Sequence, residues 1–182
     1  MLFIENRNPQ WKEGVLSDLI TIKYGKDHKK LNDGIYPVYG SGGIMRFVDT
    51  PIYTGESVLI PRKGTLNNVM YVDRAFWSVD TMFYTEMLCP NVAKFVYHFV
   101  KGIDLASLNA GSAVPSMTTK ILNAIKLYIP DNETLQKFEE IVQPMYQIMQ
   151  ENEKQTLNLA SIRNILLPRL MSGEVEISDI YI

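Results

Sequence analysis

The sequence predicts an α+β fold: a globular domain with a twisted mixed or antiparallel sheet and short helices over residues 1–131, then a long C-terminal helix within 132–182. Three observations carry this. Across the first two thirds of the chain, short apolar runs are divided by glycine, proline, asparagine and aspartate, the punctuation of strands joined by turns. Between Asn132 and Ser172 glycine is absent, and apolar residues recur at alternating intervals of three and four. The 182 residues are 46% hydrophobic and 21% charged, a balance that buries one sizeable core and argues against disorder.

In chain order, "GVLSDLITIKYG" predicts a short helix started at Ser17 or Asp18 and stopped at Gly25, because Leu16, Leu19 and Ile20 share a helical face. Strands are expected over 35–39, 43–48, 57–61, 69–72 and 82–85. "NVAKFVYHFVKG" predicts a helix capped by Asn91 and stopped at Gly102, with Val92, Phe95, Val96 and Phe99 on its buried face. After the loop "LNAGSAVPS", Ser116 is expected to cap a short helix running through Leu122, and "AIKLYIP" to form a closing strand ended by Pro130. Tyr24, Phe47, Trp77 and Phe83 are read as core residues rather than stacking groups.

The last element has a consequence for assembly. Leu135, Phe138, Val142, Met145 and Met149 have coiled-coil spacing, and the phase resumes at Leu159 and Leu166 after Asn152 and Thr156 fall in it. A helix of about 40 residues is about 60 Å long, longer than one side of a small domain. Its apolar stripe therefore calls for a second helix, and the chain offers no other of that length. Pro144 is the weak point, because an interior proline removes a hydrogen bond and costs about 3 kcal/mol, so a kink or break is expected there. Two shorter helices, 132–143 and 145–171, packed on their own domain are the alternative.

Charge and composition narrow the function classes. The net charge is −2, but residues 1–131 hold 14 Lys and Arg against 12 Asp and Glu, whereas 132–182 hold 4 against 8. Lys23, Lys26, Lys29 and Lys30 cluster, and Arg46, Arg62 and Lys63 flank two glycine turns, a modest basic patch. A single cysteine, Cys89, excludes an internal disulfide and a cysteine-built zinc site. No run reaches the length of a membrane span, and the first residues lack the pattern of a secretory leader, so a cytoplasmic protein without membrane partners is expected.

The two glycine turns, "YPVYGSGGIM" and "IPRKGTLNN", invite a phosphate-cradle reading, which fails on spacing. Neither supplies the P-loop's second glycine and Lys-Ser/Thr pair ahead of a helix, and the residues after Gly43 are strand-like, where a dinucleotide fingerprint requires a helix. Ser41 has Tyr39 where a nucleophile elbow needs glycine. "DHK" at 27–29 matches a metal-nuclease fragment without its companion carboxylate, and His28 and His98 are too few for a metal site. The sequence presents no catalytic constellation, no metal site and no cofactor site.

"YPVYGSGGIM", "ESVLIPRKGTLNNVMYV", "FWSVDTMFY", "LNAGSAVPSMTTKIL", "IKLYIP" and "ILLPRLMSGEVEI", in this order, resemble the specificity subunit of a type I DNA restriction-modification enzyme. The resemblance covers nearly the whole chain. Members of that family usually carry two target-recognition domains and two spacer helices, which pair antiparallel and hold the domains over two half-sites of DNA. This sequence has one of each and so is similar to a half-subunit. The resemblance implies a target-recognition domain over 1–131, a spacer over 132–182, and a homodimer reading an inverted repeat. It implies double-stranded DNA, DNA methyltransferase (modification) subunits and restriction subunits as partners, with no chemistry and no cofactor in this chain. The chain departs from the family at the helix start, where Glu133 and Gln136 stand three apart, and at Pro144.

Under that resemblance, Tyr39, Ser41 and Arg46 of the first turn are expected near DNA. So are Arg62 and Lys63 at phosphate or guanine, and Thr65, Asn67 and Asn68 at base edges. Lys26, His28, Lys29 and Lys30 are expected at phosphates. Leu135, Phe138, Val142, Met145, Met149, Leu159 and Leu166 are expected in the dimer seam. A coiled-coil adaptor whose head binds protein, and a small enzyme with an unrecognised site, are the competing classes.

Overall fold

The computed structural model describes residues 8–9, 11–108 and 116–174. The chain divides into two compact units, 1–136 and 137–182. In the first, β1 (Lys12–Val15) and β9 (Lys126–Ile129) pair antiparallel. A four-stranded antiparallel sheet has the order β2 (Ile20–Tyr24), β8 (Met82–Met87), β5 (Ser57–Pro61), β6 (Met70–Val72). A three-stranded sheet has β3 (Asp33–Gly40) at its centre, antiparallel to β4 (Gly43–Val48) and parallel to β7 (Trp77–Ser78). Helices α1 (Ala93–Lys101) and α2 (Thr119–Asn123) complete the unit. The core joins the two larger sheets: Val38 and Tyr39 of β3 and Val48 of β4 pack with Leu59, Val72, Met82 and Tyr84 of the four-stranded sheet. Phe76, fully buried, meets Tyr39, Tyr53 and Tyr84 edge-on at 6.0 to 6.1 Å, the arrangement that ring quadrupoles favour.

The helix expected within 14–25 is instead strand, a 3₁₀ turn (Leu16–Asp18) and strand β2. Leu16, Leu19 and Ile20 are all buried, as a helical face would be, but by a different route. The Asp18 carboxylate accepts the Val15 N–H at 2.9 Å and closes the turn. The run Ile20, Thr21, Ile22, all β-branched, then pairs with Met87, Glu86 and Thr85 of β8. Helix α1 starts one residue later than expected, because Asn91 takes a left-handed φ of 58° and does not cap it. Thr118, not Ser116, caps α2, its side chain accepting the Ile121 N–H, while Ser116 bridges to Lys63. Of the loop "LNAGSAVPS", residues 109–115 lie outside the described residues.

The long helix α3 runs from Asn132 to Met171 as one element, with Pro144 and a second proline, Pro168, inside it. Of the kink or break expected at Pro144, the break does not occur. Asp131 caps its start: its carboxylate accepts the Thr134 N–H at 2.8 Å, the Thr134 hydroxyl at 3.0 Å and the Trp11 indole N–H at 3.2 Å. These bonds, led by the Thr134 N–H, hold the Asp131 carboxyl below its ordinary pKa. Leu135 is buried already within the single chain.

Lys94 of α1 is almost wholly buried and donates to Glu56 Oε1 at 2.8 Å over the face of Tyr71, whose hydroxyl also donates to Glu56. Burial would raise the Glu56 pKa, but the bonds from Lys94 and Tyr71 outweigh it and hold the carboxyl below its ordinary value. A buried lysine is tolerated here because its charge is both paired and hydrogen-bonded.

Candidate nucleic-acid interface

The loops carrying the expected site residues are tied together by one short turn, Ser78 to Thr81, between β7 and β8. The Lys26–Lys30 loop reaches it through the Lys26 N–H, which donates to Ser78 O at 2.8 Å, and the Gly25 N–H donates to Met82 O, just past the turn, at 3.1 Å. The Trp77 indole N–H donates to Lys26 O at 2.9 Å. Strand β3 reaches it just before the β3–β4 turn, where Tyr39 O accepts the Val79 N–H at 3.1 Å. The loop after β5 reaches it through the N–H groups of Arg62 and Lys63, both donating to Thr81 O, and through Arg62 Nη1 to Asp80 O at 3.1 Å.

The two glycine turns also lock to each other. Asn68 Nδ2 donates to Ser41 O at 2.7 Å, and a Cβ on Gly64, at φ +82°, would stand 2.8 Å from Ser41 Oγ. Gly64 is thus favoured by its left-handed backbone, and the Ser41 side chain of the neighbouring turn closes over it. The physical need behind the two flexible segments is their mutual packing.

The expected residues divide by what they touch. Lys26, Lys29, Lys30, Lys63 and Thr65 are exposed, and Ser41 is half-buried. Arg62 lies with its guanidinium 5.5 Å from the Tyr24 ring centre. His28 is half-buried, and its Nδ1 is enclosed without a hydrogen-bond partner. Asn68 holds the two glycine turns together through Ser41 O. Arg46 braces the lysine loop rather than standing free: Nη2 donates to Leu31 O at 3.0 Å and to Asp33 Oδ1 at 2.8 Å. Asn67 spends both ends of its amide within the domain, donating to Asp104 Oδ1 at 2.9 Å and accepting the Ala106 N–H at 3.2 Å. Tyr39 packs in the core against Phe76, on the inward face of β3.

Two of the aromatic assignments also change. Phe83 is core, but Tyr24 is 52% exposed beneath Arg62, and Phe47 is 49% exposed on β4, which is the edge of its sheet. Sequence reasoning missed the Ser78–Thr81 turn and Asp80 at its exposed tip; "SVDT" between two strands was the only available signal. Among the described residues no group of three or more His, Cys, Asp or Glu side chains could hold a metal ion, and no helix is long and apolar enough to cross a membrane.

In α3, Phe138, Val142 and Leu166 are half-buried, while Met145, Met149 and Leu159 are largely exposed. Ile141, Ile148 and Ile162, which lie outside the stripe expected from the spacing, are each more than half exposed as well.

Exposed cations and short polar groups thus lie on the loops of an α+β unit, and the long helix that follows carries exposed apolar side chains. Residues 8–160 match the model of the type I restriction modification DNA specificity domain, and the chain belongs to that family. It is 33% identical over 134 residues to the type I restriction enzyme MjaIX specificity subunit of Methanocaldococcus jannaschii, a match covering 70% of this chain and 29% of that protein. It is 23% identical over 141 residues to the EcoprrI specificity subunit of Escherichia coli, covering 73% and 35% respectively. Among solved structures, the type I restriction-modification S subunit from M. genitalium superposes with a TM-score of 0.69 at 23% identity, over 91% of this chain and 47% of that one. The S subunit from Thermoanaerobacter tengcongensis superposes with a TM-score of 0.53 at 11% identity, over 96% and 49%. These two share the fold, and the chain spans about half of each.

Proposed function

We propose that this chain is a DNA-specificity half-subunit: residues 1–131 read one half of a bipartite DNA site, and 132–182 pair with a second copy to bring in the other half. The homodimer directs DNA methyltransferase and restriction subunits to that site, in the cytoplasm. It carries no catalytic step and needs no cofactor of its own. The observation that best supports this reading is the gathering of the lysine loop and both glycine turns on the Ser78–Thr81 turn. That packing presents Lys26, Lys29, Lys30, Lys63 and Thr65 on exposed loops of one unit. Phosphate contacts from such lysines position a duplex, and short polar groups beside them reach base edges. A two-fold axis relating two copies would supply the long helix with a second one.

The charge of the head is modest, so the chain alone binds DNA weakly and with strong salt dependence. Fluorescence anisotropy with a duplex library between 50 and 200 mM salt tests this. Replacing Lys29, Lys30 and Lys63 by alanine removes three phosphate contacts from each copy and lowers the slope of log K against log salt by about 2.7 for each copy that engages the duplex. Tight binding indifferent to salt, or a slope unchanged in the triple variant, refutes the reading.

A further inference from the structure

We infer that Asn152 and Gln155 form a polar layer that sets the register in which two copies of α3 pair. This rests on the homodimer proposed for the chain and adds to it the alignment of the two helices.

Exposure alone does not choose the seam, since Met149, Leu157 and Ile165 are as exposed as Met145 and Leu159; the spacing does. Ile141, Ile148 and Ile162 are 57%, 62% and 51% exposed. Each stands three residues after Phe138, Met145 or Leu159, so a seam alternating between the two sets keeps the three-four repeat from 138 to 166. Its polar members are Asn152 and Gln155 alone. A seam through Val142 and Met149 would instead have to take in Thr156 and Arg163. Pro144 and Pro168 both fall outside the isoleucine seam.

Charge selects the orientation. Residues 132–153 carry five carboxylates and one lysine, whereas 154–171 carry three cations and no carboxylate. The helix macrodipole favours acids only in the first turn, so it does not account for Glu151 and Glu153 in mid-helix. Parallel copies would set like charges side by side. Antiparallel copies set the acidic half of one along the basic half of the other.

The polar layer then selects one antiparallel alignment. When Asn152 faces Gln155 of the second copy, Ile148 faces Leu159 of the second copy and Met145 faces its Ile162. Ile141 then faces Leu166 of the second copy, and symmetry repeats every layer. Slipping by one heptad, about 10.5 Å, sets Asn152 against Ile148 or Ile162 of the second copy, and Gln155 against its Met145 or Leu159. Each slip strands amides among aliphatic side chains, which lose their water without gaining a partner. The same two residues therefore fix how far one copy is displaced along the other.

Disulfide trapping in the full chain, with Cys89→Ser to remove the native thiol, tests the alignment. Ile148→Cys with Leu159→Cys reports the proposed register, and Ile148→Cys with Leu166→Cys reports a one-heptad slip. Within one chain residues 148 and 159 are about 16 Å apart along the helix, too far for an internal bond. In a glutathione redox buffer the first pair is expected to yield at least tenfold more cross-linked dimer than the second, and Ile148→Cys alone none. Adding Asn152→Leu and Gln155→Leu should bring the slipped pair up to the level of the first. Equal trapping of both pairs in the native seam, self-linking of Ile148→Cys alone, or no response to the two leucines overturns the inference. Light scattering separates the two levels: a monomer at high concentration overturns the homodimer and the register together, whereas a dimer with the wrong cross-links overturns the register alone.

Discussion

Gly25 is the point at which the lysine loop is fastened to the rest of the rim, and Gly25→Ala should unfasten it. A Cβ there would lie 2.0 Å from Val79 O and 2.6 Å from Ser78 O and from the Val79 carbonyl carbon. All three are backbone atoms, so no rotamer change relieves the overlap. Ordinary contact begins at 3.4 Å, so the loop must retreat by about 1.4 Å. That movement breaks the bonds from Gly25 N–H to Met82 O, from Lys26 N–H to Ser78 O and from the Trp77 indole to Lys26 O. At about 1 kcal/mol each the loss is about 3 kcal/mol. For a chain of this size 1 kcal/mol is about 2–4 °C, so the melting temperature should fall by about 6–12 °C. Tryptophan fluorescence reports on the right unit, because Trp11 and Trp77 both lie in the first. Gly42→Ala is the control: a Cβ there meets nothing within 4 Å, and its effect should stay within about 0.5 kcal/mol. A Gly25→Ala protein melting within 2 °C of the parent would show that the Ser78–Thr81 turn does not organise the rim.

Three further outcomes are expected. Asn67→Ala removes two bonds to the 104–106 loop and should cost about 1–2 kcal/mol in urea unfolding, while leaving unchanged the DNA sequences recovered in a binding-site selection. Glu56→Gln leaves the Lys94 charge buried and uncompensated and should cost about 2–3 kcal/mol, below the full value for a buried pair because Glu56 is partly solvated. Because the folded Glu56 pKa is depressed, its contribution is complete above the ordinary carboxylate range and is lost as pH falls through and below it. The parent should therefore lose stability on acidification more steeply than the variant, as read by melts between pH 7 and 3. A chain ending at Gln136 retains the Asp131 cap and Leu135, and light scattering should find it monomeric and folded, whereas the full chain doubles its mass.

The strands over 43–48 and 57–61 were legible to the residue, because alternating or continuous apolar runs there end at glycine, proline or aspartate. The misread element, 14–25, shows the limit of a periodicity argument. Leu16, Leu19 and Ile20 satisfy a helical face and are all buried, yet a 3₁₀ turn and a strand bury the same three residues. What decides between them is the antiparallel pairing of β2 with β8, far along the chain, which no local window contains. The candidate site was legible as residue types but not as the contacts those residues make within the fold. Arg46, Asn67 and Asn68 have the chemistry of base readers, and the fold uses all three to hold loops in place. Tyr39 and Tyr24 look alike in sequence and fall on opposite sides of the surface, because one lies on the inward face of β3 and the other at the end of β2 under Arg62.

By itself, the sequence determined which elements could exist, the long apolar-striped helix and its segregated charge, and the family to which the ordered motifs belong. These are properties of spacing and composition along one dimension, where periodicity and turn chemistry act. Only the tertiary structure decided that the two glycine turns pack on each other, that the Ser78–Thr81 turn gathers three loops, and which polar side chains remain outside that scaffold. Those outcomes depend on hydrogen bonds and close approaches between segments far apart in the chain, and their partners are chosen by the packing of the whole domain.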